Sequence, residues 1–322
     1  MRAFITGASG FIGKHLARHL LQRGWQVRVL IHKQKFIGLD GLETVEGHIR
    51  NLTLLKEALQ GTDLLFHLAS ALGASKIRRQ EFYAVNAEGT RTVLEAARET
   101  GVRKVVHFSS AGALGHVLQG EIAAEDYPPD PRDLYDKSKL AGEQIAQDFA
   151  RRGMDIVIIR PGWVYGPEDR RTLKLIRAIA RGKYILVSKG KTLQTPVFVQ
   201  DLIQGTMLCA EKGRSGEIYH LAGPEVLTVK IIVETIASAA DKKIPRFTLP
   251  LWPVRSAAWL LGKSFALFKK EAPLNPSRLS FFVHPKPLSS QKAVSELGYS
   301  PKTYFQRGMS QTVAWYREAR WL

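Results

Sequence analysis

Residues 2–22 constrain this chain more than any other stretch. Arg2-Ala3-Phe4-Ile5 is a short apolar run that reads as a buried strand. It passes directly into Thr6-Gly7-Ala8-Ser9-Gly10-Phe11-Ile12-Gly13, after which Lys14 to Gln22 carries Leu16, Ala17, Leu20 and Leu21 at helical spacing. A glycine triplet alone is common in loops. Strand, glycine-rich turn and helix in succession point to a dinucleotide-binding βαβ unit. Gly7 permits the tight turn, Gly10 lets a pyrophosphate approach the backbone, and Gly13 lets the helix pack closely on the strand. The unpaired N–H groups at the helix start then face the phosphates, so Ser9, Phe11 and Ile12 join the three glycines as cofactor-binding candidates.

The next strand bears on which dinucleotide is bound. Gln26 to Ile31 returns after Gly24 and ends Ile31-His32-Lys33, with Lys35 close behind. An acid at this place would accept hydrogen bonds from the adenosine ribose hydroxyls. None is present, and cations stand where a 2′-phosphate would lie. His32 and Lys33 therefore favour NADP(H) over NAD(H).

The rhythm continues with a strand over Leu42 to Gly47, a helix over Thr53 to Leu59 and a strand over Asp63 to Ala69. A polar loop from Ser70 to Gln80 follows, then a helix from Phe82 to Glu99 that contains Asn86, and a strand over Lys104 to Phe108. Asp133 to Arg151 reads as a helix and Asp155 to Arg160 as a sixth strand. Strands alternating with helices predict an α/β fold, a Rossmann-type doubly wound parallel sheet. Residues 1–167 form the nucleotide-binding domain on this reading. Residues 168–322 form mostly a smaller substrate lobe, with about 195–222 returning to the first domain. Beyond Pro167 the pattern is irregular: a strand at Thr195 to Val199, a helix at Asp201 to Glu211, a strand at Glu217 to Leu221, and a closing helix at Val313 to Trp321.

The bulk numbers exclude several classes. One cysteine, Cys209, rules out an internal disulfide framework and fits a reducing, cytoplasmic compartment. No Cys/His cluster has metal-ligand spacing, and no apolar run is long enough to span a bilayer. The net charge of +18 is the unusual value. Its lysines and arginines are scattered in short clusters (Lys76, Arg78, Arg79; Arg170, Arg171, Lys174; Lys269, Lys270) without any nucleic-acid motif, so nucleic acid is not an expected partner. Residues 251–270, rich in Trp, Leu, Ala and Phe with basic flanks, read as a helix of the substrate lobe, with peripheral membrane contact as the alternative. A homodimer is the candidate assembly, and the expected ligand beside the cofactor is a small molecule.

Tyr135 and Lys139 lie one helical turn apart and share a face, with Ser110 upstream at a strand end. A phenol near pKa 10 is a poor proton donor or acceptor at neutral pH. A neighbouring ammonium stabilises its phenolate and brings it nearer the useful range, and Ser110 is placed to hold a substrate oxygen.

With these residues in view the chain resembles the extended short-chain dehydrogenase/reductase family, the NAD(P)-dependent epimerase/dehydratase group. The resemblance rests on Thr6-Gly7-x-x-Gly10-x-x-Gly13, His67-Leu-Ala-Ser70, Asn86-Ala-Glu-Gly-Thr90, Ser109-Ser110, Tyr135-x-x-x-Lys139 and Arg160-Pro-Gly-Trp-Val-Tyr-Gly-Pro167. Phe198-Val-Gln-Asp201, Ile218-Tyr-His-Leu-Ala-Gly223 and Glu296-Leu-Gly-Tyr-Ser-Pro301 look like its later landmarks. It implies Ser110 as substrate-oxygen anchor, Tyr135 as acid/base, and Lys139 as phenolate stabiliser and nicotinamide-ribose ligand. It also implies that Leu68, Ala69 and Ser70 line the cofactor, that Pro161 and Val164 cover the nicotinamide, and that Asn86 has a structural or water-holding role at the cofactor site. His48, with Ile49 beside it, stands where the family often has an adenine-binding Asp. Ala113-Leu114-Gly115 replaces the usual Val-Tyr-Gly, and Phe198 replaces a usual His.

The sequence therefore supports an NADP(H)-preferring enzyme that interconverts a ketone and a secondary alcohol on a small, hydrophobic substrate. Relatives of the 3β-hydroxysteroid dehydrogenase and dihydroflavonol reductase kind share its second-strand ending. A nucleotide-sugar epimerase or dehydratase with tightly held NAD is the alternative, and a non-catalytic nucleotide sensor is the reading from another class.

Overall fold

The computed structural model describes residues 1–32, 39–72, 79–182, 184–244, 248–267 and 282–322. Lys33, Lys35, Lys76, Arg78, Lys269 and Lys270 lie outside the described residues, as does most of the Ser70 to Gln80 loop.

The chain begins as predicted, with β1 (Arg2–Thr6) and α1 (Phe11–Gln22). It continues through β2 (Gln26–Ile31), β3 (Leu42–Glu46), α2 (Leu52–Leu59) and β4 (Leu64–His67). The expected single helix before the fifth strand is broken: α3 (Arg79–Tyr83) and α4 (Gly89–Glu99) are separated by a π-helical turn at Ala84–Glu88 that holds Asn86. Such turns give the chain an extra residue without ending the helix. Next come β5 (Lys104–Phe108), α5 (Ala111–Leu114), α6 (Leu134–Arg151), β6 (Ile156–Pro161) and β7 (Trp163–Tyr165). The rest comprises α7 (Arg170–Ala180), β8 (Leu186–Val187), β9 (Leu193–Gln194), β10 (Pro196–Phe198), α8 (Val199–Lys212), β11 (Ile218–Leu221), β12 (Leu227–Thr228), α9 (Val229–Ala239), β13 (Thr248–Leu249), α10 (Leu251–Leu267), α11 (Gln291–Leu297) and α12 (Phe305–Glu318).

Seven strands form one parallel sheet in the order β11-β6-β5-β4-β1-β2-β3. Strand side chains alternate between two apolar layers, because successive residues point to opposite faces. Ala3 and Ile5 face α1, α8 and α11; Phe4 faces α2, α4 and α6. Phe4 and Ile5 are fully buried, worth about 1.5–3 kcal/mol each. A third core joins α7, α9 and α12 around Tyr165, Phe198 and Phe305. The strand order reverses between β1 and β4, and a crevice opens there at the carboxyl ends of the strands.

The second half holds elements that irregular apolar spacing concealed. α7 starts at Asp169, whose carboxylate accepts the Arg171 N–H at 2.9 Å and the Thr172 N–H at 3.2 Å, and it buries Leu173, Ile176 and Ile179. α12 begins eight residues before the predicted closing helix and ends short of Trp321. α10 buries Val254 and leaves Trp252 exposed. Among the described residues no helix is long and apolar enough to cross a membrane.

Candidate active site

The glycine turn is built by backbone crowding. Gly7 has φ +74°, and a Cβ there would meet the Ala69 amide nitrogen at 2.6 Å. At Gly13 it would meet the Gly7 carbonyl oxygen at 2.4 Å, so only hydrogen lets α1 approach β1 this closely. Gly10 differs: a Cβ would touch only the Gly7 oxygen, at 3.2 Å, and otherwise enter the crevice. Gly10 is also the N-cap of α1 with no side-chain cap bond, whereas α6 and α7 are capped by Asp133 and Asp169. The α1 N-terminus thus faces the crevice with its N–H groups uncommitted to a capping side chain, which suits a pyrophosphate.

The crevice, about 640 Å³, runs from this turn past Ser110 and Tyr135 to Lys286. Gly7, Ser9, Gly10, Phe11, Ile12 and Gly13 line one end; Leu68, Ser70, Pro161 and Val164 line the middle; Ser110, Tyr135 and Lys139 form the floor. The turn, the length of the groove and the hydroxyl-lined floor fit a nicotinamide dinucleotide laid along the strand ends.

Five described candidates sit elsewhere, Asn86 among them. Ile49 is buried in the α2/α4 core layer. Ala69 uses its N–H on the Thr6 hydroxyl at 3.2 Å and crowds Gly7. His32 and His48 meet edge to face at the ends of β2 and β3, ring centroids 4.6 Å apart. His48 Nδ1 accepts the Arg50 N–H at 3.1 Å.

Asn86, despite its buried place in the π turn, serves as a brace. Its Oδ1 accepts from the Ser70 hydroxyl at 2.9 Å and the Ala71 N–H at 2.7 Å, and its Nδ2 donates to the Ser138 oxygen at 2.9 Å. Asn86 thereby joins the strand-end loop to α6. A second chain of bonds runs beneath it. The Thr90 hydroxyl donates to the Asn86 carbonyl at 2.9 Å, so it accepts from His67 Nε2 at 3.0 Å. His67 Nδ1 must then accept from the Thr6 hydroxyl at 2.7 Å. This arrangement requires a neutral imidazole with its proton on Nε2. Burial, with the Lys139 charge adding, pushes the His67 pKa down to about 3.

α6 presents Tyr135, Lys139 and Glu143 at four-residue spacing on one face. Lys139 Nζ donates to the Phe108 carbonyl at 2.6 Å, and burial, opposed by Glu143, pushes its pKa down to about 8. Glu143 accepts Arg160 Nη2 at 2.6 Å, Arg160 Nε at 2.9 Å and the Ser109 hydroxyl at 2.6 Å, all buried. The Ser110 oxygen accepts the Gly112 N–H at 3.0 Å, leaving its O–H to donate outward. Tyr135 differs from the sequence expectation. Burial raises its pKa, while Arg171 and the hydroxyls of Ser110 and Ser70 pull it back. The phenol is therefore protonated at neutral pH.

Other crevice residues escaped sequence reading. Arg171, Gln194, Lys286 and Asp136 line the outer end. Lys286 Nζ contacts Asp136 Oδ2 at 2.5 Å, and burial holds the Asp136 carboxyl up at about 6 despite that lysine. The Arg170–Arg171–Lys174 cluster was visible, yet nothing in its charge told which member faces the crevice. Arg170 lies over the Trp321 ring at 5.2 Å. Ala113 and Leu114 are fully buried, so the missing aromatic leaves no side chain there in the crevice.

A doubly wound parallel sheet, a glycine turn at its switch point and a Ser–Tyr–Lys floor define a nicotinamide-dinucleotide-dependent α/β enzyme. The chain belongs to the NAD dependent epimerase/dehydratase family, which it matches over residues 3–222. It is similar to sterol demethylase protein B of Methylococcus capsulatus, 32% identical over 332 residues, covering 99% of both chains. It is 30% identical over 317 residues to the 4-hydroxy-2-methyl-3-oxo-4-farnesyl-3,4-dihydroquinoline-1-oxide ketoreductase of Stigmatella aurantiaca, covering 96% of this chain and 95% of that one. A double mutant of DesIV, the dTDP-glucose 4,6-dehydratase of Streptomyces venezuelae solved with NAD and DAU bound, superposes with TM-score 0.80 at 28% identity, covering 99% of this chain and 98% of that one.

Proposed function

We propose that the protein reduces a ketone to a secondary alcohol, or runs the reverse oxidation, on a hydrophobic small molecule with NADP(H) preferred over NAD(H). The observation that carries this reading is the Tyr135 phenol lining the crevice beside Ser110, with Lys139 one turn along α6. A bound nicotinamide supplies or takes the hydride at its C4. Ser110, whose hydroxyl otherwise bonds the Tyr135 phenol, gives its O–H to the substrate oxygen when substrate binds. Tyr135 delivers its proton to that oxygen as negative charge develops. Lys139, with donors to spare beyond Phe108, stabilises the phenolate left behind. The Asn86 brace and the Glu143–Arg160 pair hold α6 and the strand ends in register.

The NADP(H) preference rests on His32 and Lys33 and on the absence of an acid at the end of β2. The substrate class draws on the names of two relatives, a ketoreductase acting on a farnesylated quinoline oxide and a sterol demethylase protein. The test is a scan of ketones, steroid-like and flavonoid-like compounds and UDP-sugars, with NADPH and NADH consumption followed by absorbance. Ketone-dependent NADPH consumption supports the reading. Nicotinamide fluorescence that survives extensive dialysis, together with UDP-sugar conversion without net oxidation, would replace it with an epimerase.

A further inference from the structure

α10 buries one side and exposes an apolar one. Val254 turns inward, where Val187 of β8, Leu251 and Val283 pack around it. Trp252 and Trp259 lie on the opposite side of the helix, since seven residues make two turns and return to one face. Trp252 is 74% exposed, and Trp259 and its neighbour Leu260 are more than half exposed. The β8–β13 pair extends this surface: Leu249 stands in register with Val187, and Leu249 and Ile185 are both exposed. Large apolar side chains gathered in this way mark a contact with something outside the chain.

Positive charge surrounds the patch. Lys189 and Lys191, just beyond β8, are exposed, as is Arg255 on α10 between the two tryptophans. Between Asp241 and Glu271 the chain has seven Lys or Arg and no Asp or Glu, within a net charge of +18. This charge selects the occupant. A second copy docked through the same face would set these cations against their own copies, because a twofold interface is self-complementary. An anionic bilayer instead supplies opposite charge at its headgroups and an apolar layer beneath, and indole rings settle at that boundary. The patch also borders the crevice. Val283, packed under α10, precedes His284, whose carbonyl accepts Gln194 Nε2 at 3.1 Å, and the Lys286 N–H donates to the Leu193 carbonyl at 3.2 Å. Gln194 and Lys286 line the outer end of the crevice, so one short segment links α10 to its mouth.

We propose that the exposed face of α10, with the β8–β13 edge, is a membrane-surface site that seats the protein peripherally on an anionic leaflet. The inference stands apart from the alcohol–ketone reading, because none of its residues belongs to the Ser–Tyr–Lys floor.

The test is co-sedimentation of the protein with vesicles of phosphatidylcholine alone and of phosphatidylcholine mixed with phosphatidylglycerol. A parallel set carries lipids brominated on the acyl chains, which quench any tryptophan that reaches them. Wild type, Trp252→Ser/Trp259→Ser and Arg255→Glu are compared after thermal melts show that each is folded. Wild type is expected to bind the anionic vesicles about tenfold tighter than the neutral ones or better, and to lose fluorescence on brominated lipid. The double serine variant should bind about tenfold more weakly or worse. Arg255→Glu should weaken binding while the bound protein is still quenched. Absence of vesicle binding overturns the proposal, as does binding that survives both serine substitutions, which reduces the effect to diffuse charge. Dimerisation that the double variant loses, with no vesicle binding, gives the face to a second copy and also overturns it. If the double variant does not fold, the quench of wild type decides: vesicle-bound protein without it contradicts the proposal.

Discussion

Ser109 and Glu143 are joined by a 2.6 Å hydrogen bond between buried side chains, and this contact ties the end of β5 to α6. Ser110 follows Ser109 in the chain, and Lys139 and Tyr135 precede Glu143 by one and two helical turns. The same carboxylate carries the buried Arg160 guanidinium. Removing one partner of a buried pair leaves an uncompensated charge, whereas removing both relieves it. Glu143→Gln should lower stability by about 3–5 kcal/mol in denaturant unfolding, and Glu143→Leu combined with Arg160→Met should recover much of that loss. A double variant no more stable than the single one would contradict the assignment.

The glycine turn separates structural from binding roles. A side chain at Gly10 enters the crevice and meets only the Gly7 oxygen, whereas one at Gly13 collides with the backbone of β1's turn. Gly10→Val should weaken NADPH binding by about tenfold or more with little change in melting temperature. Gly13→Val should cost about 1–3 kcal/mol of stability by overpacking. Calorimetric binding and thermal melts on the two variants make the comparison.

Cofactor choice is tested at the end of β2. His32→Asp introduces the acid that accepts hydrogen bonds from ribose hydroxyls and repels a 2′-phosphate. The ratio of NADPH to NADH affinity should fall in this variant. An unchanged ratio would remove His32 from the assignment.

Stability should fall in acid. His67 and His220 are buried with pKa values pushed down to about 3, and His107 is held well below the usual histidine range. Burial leads in each case. The unfolded chain binds these protons near pH 6.5 while the folded chain refuses them until about pH 3, so stability is complete above pH 6.5 and is lost as pH falls through this window. Asp136 and Glu125, raised by burial, pull the other way. Melting temperatures between pH 4 and 8 should show a net decline below pH 6.5, and His67→Gln should flatten it.

The nucleotide-binding half was legible because each of its elements has a local signal. β1, β2, β4, β5 and β6 are apolar runs, and α6 carries Tyr135 and Lys139 at a spacing that only a helix turns into one face. Asn86 was visible as a motif but not as a brace, since its partners Ser70 and Ser138 lie 16 and 52 residues away. Ile49 faces inward because the register of its strand-end loop, invisible in the spacing, sets it against Gly89. Lys286 was out of reach altogether: it meets Asp136 across 150 residues of chain. The raised pKa of Tyr135 was likewise unreadable, because it depends first on burial.

The most direct test of the account is a single-turnover comparison of wild type and Tyr135→Phe with NADPH and the best ketone found in the scan, across pH 6 to 9. Burial keeps the phenol protonated, so wild-type reduction should stay level across this range, while alcohol oxidation should rise with pH. Tyr135→Phe should slow the hydride step about 10²–10⁴-fold with NADPH affinity preserved. A variant that turns over as fast as wild type, or a wild-type profile in which reduction climbs with pH, would contradict it.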